Sequence, residues 1–305
     1  MSKNTFTNFK NRYAGKDAVA EKITARAERE MQKAYQNAYD AIYRIIQTAK
    51  GDVNYATYAK QTQILKQIGA ELDGFKGTAG KSLNRALKEI AKYSARVAIR
   101  DLHLLTSKTV HADQWHREYN LKYVEQTFKD NYSHIAAQAT RMKSSAKTLL
   151  RTHSAKVFQR AAVEGLTRRA AYQKIKADIL ADDPKFVFTD KRGRNWDTAN
   201  YFDMLTKTVM HNTLRECYAN TLINEGKDLV KVSHSGAKDA CKKWEGKVLS
   251  LTGATTGYKT VDEARKTGEV FHPRCRHRLL AYHEDIEDVF KAVEDGLTDD
   301  QILNK

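Results

Sequence analysis

The chain has 305 residues, 53 Lys+Arg against 37 Asp+Glu, a formal net charge of +16, and 41% hydrophobic residues. That length accommodates one large domain or two of ordinary size, each burying its own core. No stretch approaches the roughly 18 apolar residues that cross a bilayer. The opening MSKNTFTNFKNRYAGKD lacks the apolar centre of a secretory signal. Three cysteines do not make a disulfide framework, so synthesis in a reducing compartment is expected.

The charge is uneven along the chain. Residues 1–180 carry 33 Lys+Arg against 16 Asp+Glu, a net of +17, whereas residues 181–305 carry 20 against 21. A field of that sign favours a polyanion, either nucleic acid or an anionic membrane surface; the plain alternative is a solvated basic surface. The basic part reads as helical throughout. From Asp17 to about Lys50, apolar residues at Ala20, Ile23, Ala27, Met31, Ala34, Ala38, Ala41 and Ile45 recur in steps of three and four, the mark of one buried helix face. A second helix is expected over Tyr55–Leu72 and a third over Ser82–Leu105, with Gly74, Gly77 and Gly80 marking a connection between them. Two more are expected at about Glu118–Gln138 and Met142–Glu164, and a shorter one follows Thr167 as N-cap. Helices this long and this lightly apolar suit an elongated bundle, or an oligomer that shares them.

Two features of the basic part bear on binding. GFKGTAGKS resembles a phosphate-binding loop, but five residues separate Gly74 from Gly80 where the motif requires four, and no strand precedes it, so a flexible turn is expected instead. Lys81, Arg85, Lys88, Lys92, Arg96 and Arg100 fall at helical steps along the third helix. Arg141, Lys143, Lys147 and Arg151, followed by Lys156 and Arg160, form a second cluster. Such stripes contact phosphates without reading bases.

The pattern changes at Asp182–Asp183–Pro184. A short strand at Phe186–Phe188, a turn over Asp190–Gly193 and a return from Arg194 to Trp196 precede a helix from Asn200 to Gly226. Leu229–Ser233 and Lys247–Leu251 read as strands, with Trp244 and Trp196 as core anchors. The expected fold class is therefore mainly α: an elongated helical region over 1–181, a small α+β domain over 182–283, and an acidic tail over 284–305 with one short helix. Cys241, His272, Cys275 and His277 supply two thiols and two imidazoles, a donor set for a structural zinc, which is the cofactor expected here. His234 and His283 are spare donors, and Asp239 is a partner for a ligand imidazole. The other reading of the same residues is packed thiols with hydrogen-bonded histidines, and the arginines at 274, 276 and 278 oppose a cation.

The succession KRGRNW, YFDMLTKTVMHNTLRE, LVKVS, GAKDACKKWEGKVLSL and HPRCRHRL resembles the minor capsid protein 2 family of tailed phages, akin to the Mu F-like head morphogenesis proteins. The likeness covers about residues 165–282. The family pattern falls on Thr208, Arg215, Asp239, Cys241, Trp244, Gly246, Val248, His272, Cys275 and His277. It implies a non-enzymatic, low-copy structural component inside the virion head near the portal, present in the host cytoplasm during assembly. Its implied partners are double-stranded phage DNA and the portal, scaffold or major capsid proteins. The rival reading is an enzyme or toxin-like C-terminal domain using Cys/His or zinc chemistry. Against it, the chain has neither the histidine, glutamate and Cys-x-x-Cys set of zinc deaminases nor the HExxH of zinc proteases.

Overall fold

The computed structural model describes residues 3–105, 118–183, 187–189, 195–284 and 287–298. Within them the protein is mainly α, with a small antiparallel sheet in its C-terminal third. The helices are α1 (Lys3–Tyr13), α2 (Ala18–Lys50), α3 (Tyr58–Leu105), α4 (Glu118–Glu164), α5 (Arg168–Ala181), α6 (Thr198–Asn224), α7 (Val261–Lys266) and α8 (Glu287–Glu294). The strands are β1 (Val187–Thr189), β2 (Asn195–Asp197), β3 (Leu229–Val232), β4 (Val248–Ser250) and β5 (Leu279–Ala281).

Helix starts follow capping chemistry. Asp17 Oδ1 accepts from the Ala20 amide (3.1 Å), Thr57 Oγ1 from Lys60 (3.2 Å), Thr167 Oγ1 from Ala170 (3.3 Å) and Asp197 Oδ1 from Ala199 (2.9 Å). Each satisfies an amide that lacks an intrahelical partner. At the end of α6, Gly226 takes φ 71° and lets the Lys227 amide reach back to Leu222 O (2.9 Å).

Two expected breaks are absent. The glycine cluster is not a turn, because α3 runs unbroken through Gly74, Gly77 and Gly80. Ile64, Ile68, Leu72, Phe75, Ala79, Leu83, Leu87 and Ile90 keep one buried face in register across it. Burying that stripe outweighs the roughly 1 kcal/mol that each interior glycine costs a helix relative to alanine. Nor does α4 end near Gln138. Ile135, Ala139, Met142, Ala146, Leu150 and Val157 form another continuous stripe. Ser133 and Thr140 bond back to the carbonyls of Asp130 (2.6 Å) and Ala136 (3.1 Å), which accommodates hydroxyls inside the helix.

The chain forms two compact units. One comprises residues 28–83 and 130–203. In it, Phe202 receives Tyr35 and Phe75, with ring centroids 5.7 and 5.5 Å away. The β1–β2 pair is antiparallel, with Phe188 opposite Trp196; the side chain of Trp196, the expected turn at 190–194 and Phe186 lie outside the described residues. A buried His153 bonds Tyr55 through Nδ1 (2.7 Å) and Asp182 through Nε2 (3.0 Å). The Lys50 ammonium donates to the Asp182 carbonyl, so the ends of α2 and α5 are tied together.

The other unit comprises residues 1–27, 84–129 and 204–305. Its sheet has the order β4-β3-β5, with Val230 opposite Leu249 on one side and Ala281 on the other. Tyr218 and Leu222 of α6, Val97, Ala98 and Leu102 of α3, and Trp244, Val270 and Phe271 share its core. Trp244 is thus the anchor its sequence suggested, with Nε1 donating to Glu269 (3.1 Å). Three elements go beyond the sequence expectation: α1, α7 and β5. The first is held by Phe9 and Tyr13, which pack with Leu280 of β5 and Phe290 of α8.

Candidate metal centre and basic helix faces

The four Cys/His candidates come from two segments flanking the central strand. Cys241 sits in a 3-10 turn (Ala240–Trp244) ahead of β4, and His272, Cys275 and His277 precede β5. Asp239 caps the turn, its Oδ1 accepting from the Cys241 amide at 3.0 Å. The second segment is held in an unusual backbone: Phe271 and Arg274 have φ of 58° and 65°, a left-handed conformation that costs a non-glycine residue of order 1–3 kcal/mol unless its surroundings impose it. They do. Thr208 Oγ1 accepts from the Arg274 amide (3.2 Å), and the buried Arg215 donates to the carbonyls of Cys275 (3.2 Å) and His277 (2.9 Å) while lying over the Phe271 ring. Thr208 and Arg215 of α6 are therefore the scaffold of this knuckle.

The side chains converge. Cys241 Sγ is 3.9 Å from Cys275 Sγ and 2.8 Å from His272 Nε2, and Cys275 Sγ is 3.3 Å from His277 Nδ1. The ligand atoms of Cys241, Cys275 and His277 all lie within 4.8 Å of one another; Asp239, Cys241 and His272 form a second such group sharing Cys241. Cys241, Cys275 and His277 are buried. Neither His234 nor His283 joins them among the described residues; His234 Nε2 instead meets Tyr13 at 3.2 Å.

Each imidazole has its second nitrogen occupied. His277 Nε2 meets Glu245 Oε1 (3.1 Å) and Ser235 Oγ (3.0 Å), and His272 Nδ1 meets the Pro273 carbonyl (2.9 Å). Glu245 is held in turn by the amides of Ser235 (2.7 Å) and Ala237 (3.2 Å). Burial raises the Glu245 pKa, and these backbone donors with His277 outweigh it, bringing it down to about 2. Burial likewise raises the Cys275 thiol, but the His277 bond and the Arg215 charge overcome it and bring it to about 7. Burial and the neighbouring Cys275 push Cys241 upward. The arginines do not crowd the thiols with charge: Arg274 and Arg276 are exposed, and Arg278 is paired with Asp17 at 2.8 Å.

Glu245 and Ser235 escaped the sequence reading of the site. Glu245 lies within WEGKV, where an acid between an anchoring tryptophan and a turn glycine was the available signal. Nothing local announces Ser235.

The basic candidates are distributed as the helical spacing requires. Lys81, Arg85, Lys88, Arg96 and Arg100 of α3 are exposed and Lys92 is half-buried; Lys81 belongs to the unit containing residues 28–83 and the rest to the other unit. On α4, Arg141, Lys143, Lys147 and Arg151 are all exposed. Lys143, Lys147 and Arg151 recur every four residues, and the Lys143 ammonium reaches over Gly69 of α3. Lys156 and Arg160, further along, are engaged with Asp182 (4.0 Å) and Glu164 (2.6 Å).

The fold and the knuckle make a mainly helical protein with a small sheet beside which two cysteines and two histidines cluster. Over residues 19–300 the sequence matches the profile of the family described as phage minor capsid protein 2. The chain belongs to that family, which makes it a structural protein of the phage head, and the match extends well beyond the 165–282 carrying the motifs. No curated protein and no solved structure matches it. No described helix is long and apolar enough to cross a membrane.

Proposed function

We propose that this head protein is a low-copy internal component near the portal whose basic helix faces lie against packaged double-stranded DNA. The observation that carries the reading is the exposure of Arg85, Lys88, Arg96 and Arg100 in one row on α3 and of Lys143, Lys147 and Arg151 in another on α4. Rows of cations on rigid helices meet a phosphate backbone without needing a base sequence, and they leave the apolar stripes free to build the bundle. The sheet-bearing unit, close to electroneutral in its C-terminal part, is the natural partner for portal, scaffold or major capsid protein during assembly. The role is structural, with no catalytic residue assigned.

The test is duplex DNA binding by the full chain across a salt series. The logarithm of affinity should fall linearly with the logarithm of salt, with a slope of about −0.9 per phosphate neutralised. Replacing Lys88, Arg96 and Arg100 together by alanine should make that slope shallower by about one for each phosphate left without its cation, and to the same extent on unrelated DNA sequences. Binding that ignores salt, or a triple variant with an unchanged slope, refutes the DNA contact. Quantitative mass spectrometry of purified particles, scored against the portal protein, tests the copy number separately.

A further inference from the structure

We infer that Cys241, Cys275, His277 and His272 hold one structural zinc ion that clamps the lead-in of β4 to the lead-in of β5 across β3. The first ground is donor geometry. Two thiolates each about 2.3 Å from a tetrahedral zinc stand about 3.8 Å apart, and the two sulfurs here are 3.9 Å apart. The thiol–imidazole distances are 2.8 and 3.3 Å; a thiolate and an imidazole on one zinc stand at about 3.6 Å, so the pairs open by about 0.8 and 0.3 Å when the thiol proton leaves to solvent and the ion takes its place. His277 completes a three-ligand group with the two cysteines; His272 lies in a second group that shares only Cys241, and its ring must swing inward from the rim to supply the fourth donor.

The second ground is orientation. A ligating imidazole characteristically gives its other N–H to a carboxylate or a carbonyl, which fixes the tautomer. Both histidines do this, in opposite senses. His277 is bound at Nε2 by Glu245, leaving Nδ1 toward Cys275; His272 is bound at Nδ1 by the Pro273 carbonyl, leaving Nε2 toward Cys241. The third ground is strain: Phe271 and Arg274 hold left-handed backbone within the four residues that deliver His272 and lead to Cys275. Two sulfurs with two nitrogens select zinc over the oxygen-seeking cations, and burial of three of the four donors leaves no open coordination position for a substrate.

The experiment uses the full chain, purified reduced from zinc-replete cells. Elemental analysis should find one zinc per chain in the wild type and none in Cys275→Ser. Cobalt(II) added to the metal-stripped wild type should give sulfur-to-cobalt charge transfer and the visible bands of tetrahedral coordination. Glu245→Gln keeps the ligands and should weaken zinc in a chelator competition by about 10- to 100-fold; a Glu245 that served only the fold would leave that affinity unmoved. A folded, reduced wild type that neither carries zinc nor develops the cobalt spectrum overturns the proposal, as does stoichiometric zinc retained by a Cys241→Ser, Cys275→Ser double variant.

Discussion

Arg215 shows how much of the knuckle rests on one side chain. Its guanidinium is buried, bonds two carbonyls of the Cys275–His277 segment, and donates to Asn212 Oδ1. Arg215→Ala leaves those carbonyls without partners in the core, and should lower unfolding free energy by about 3 kcal/mol in urea denaturation. Arg215→Lys should rescue little, because a single ammonium cannot span both acceptors as the planar fork does. Asp228 is the corresponding clamp outside the knuckle. It accepts from Ser250 Oγ (2.7 Å), the Thr252 amide (2.8 Å) and hydroxyl (2.6 Å), and the Thr255 amide (3.1 Å). Burial opposes its ionisation, but these donors prevail and hold its carboxyl well below the usual range. A carboxylate whose folded pKa is depressed stabilises above its unfolded pKa of about 3.9 and loses that contribution as pH falls through the folded value. The stability gap between wild type and Asp228→Asn should thus hold steady from neutrality to about pH 4 and close below it, a prediction that denaturation curves at stepped pH would check. The four Cys/His residues stood out by their donor chemistry, whereas Thr208 and Arg215 were marked by the family resemblance alone. Asp17 was not legible as a partner of Arg278, since 261 residues separate the two and no local pattern connects them.

Helices were the most legible elements, because an apolar step of three and four survives any tertiary arrangement. Their continuity was misread twice, and at Gly74, Gly77 and Gly80 the reason is physical: glycine lowers local helix propensity, and a buried stripe overrides it. Gly74 and Gly77 test this directly. Neither has a neighbour within 4 Å of where a Cβ would stand, and both are helical. Each alanine replacement should therefore raise stability by about 0.5–1 kcal/mol, read as a higher urea midpoint at unchanged slope; a loss would mean that the segment needs the freedom of a turn. Short strands were half legible. Leu229–Val232 and Val248–Ser250 show apolar runs, whereas Leu279–Ala281 is masked by the arginines before it and becomes a strand because β3 offers it an edge. Helix α1 carries Phe6, Phe9 and Tyr13 at helical spacing, a signal present in the sequence but short.

At the scale of the molecule, composition changes near Asp182–Pro184, while compactness gathers segments far apart in the chain. The sheet-bearing unit draws on residues 1–27, 84–129 and 204–305, and four long helices, α2, α3, α4 and α6, each contribute to both units. Charge asymmetry is visible in a sequence; which helix ends meet is not, because it depends on burial between distant stripes. Phe290 is the test residue for that assembly. It is fully buried beside Phe9 and Tyr13, at 5.5 and 4.8 Å between ring centroids, and the Lys231 ammonium lies over it at 4.6 Å. Phe290→Ala should cost about 3–5 kcal/mol, and hydrogen exchange should show the amides of α1 losing protection even though the change lies in α8.

The pairing of α1 with α8 has a temporal side. Some 270 residues separate Tyr13 from Glu287, and at ribosomal speeds of about 5–20 residues per second the interval is on the order of 15–60 s. For that time Phe9 and Tyr13 lack the Phe290 ring, although Tyr13 can meet His234, at 5.0 Å between ring centroids, somewhat earlier. The sheet-bearing unit closes last, when its own C-terminal helix arrives, whereas the unit of residues 28–83 and 130–203 has all its segments sooner. Only after residue 203 does a nascent chain hold every segment of that unit, and through the remaining third of synthesis Phe9 and Tyr13 still await Phe290.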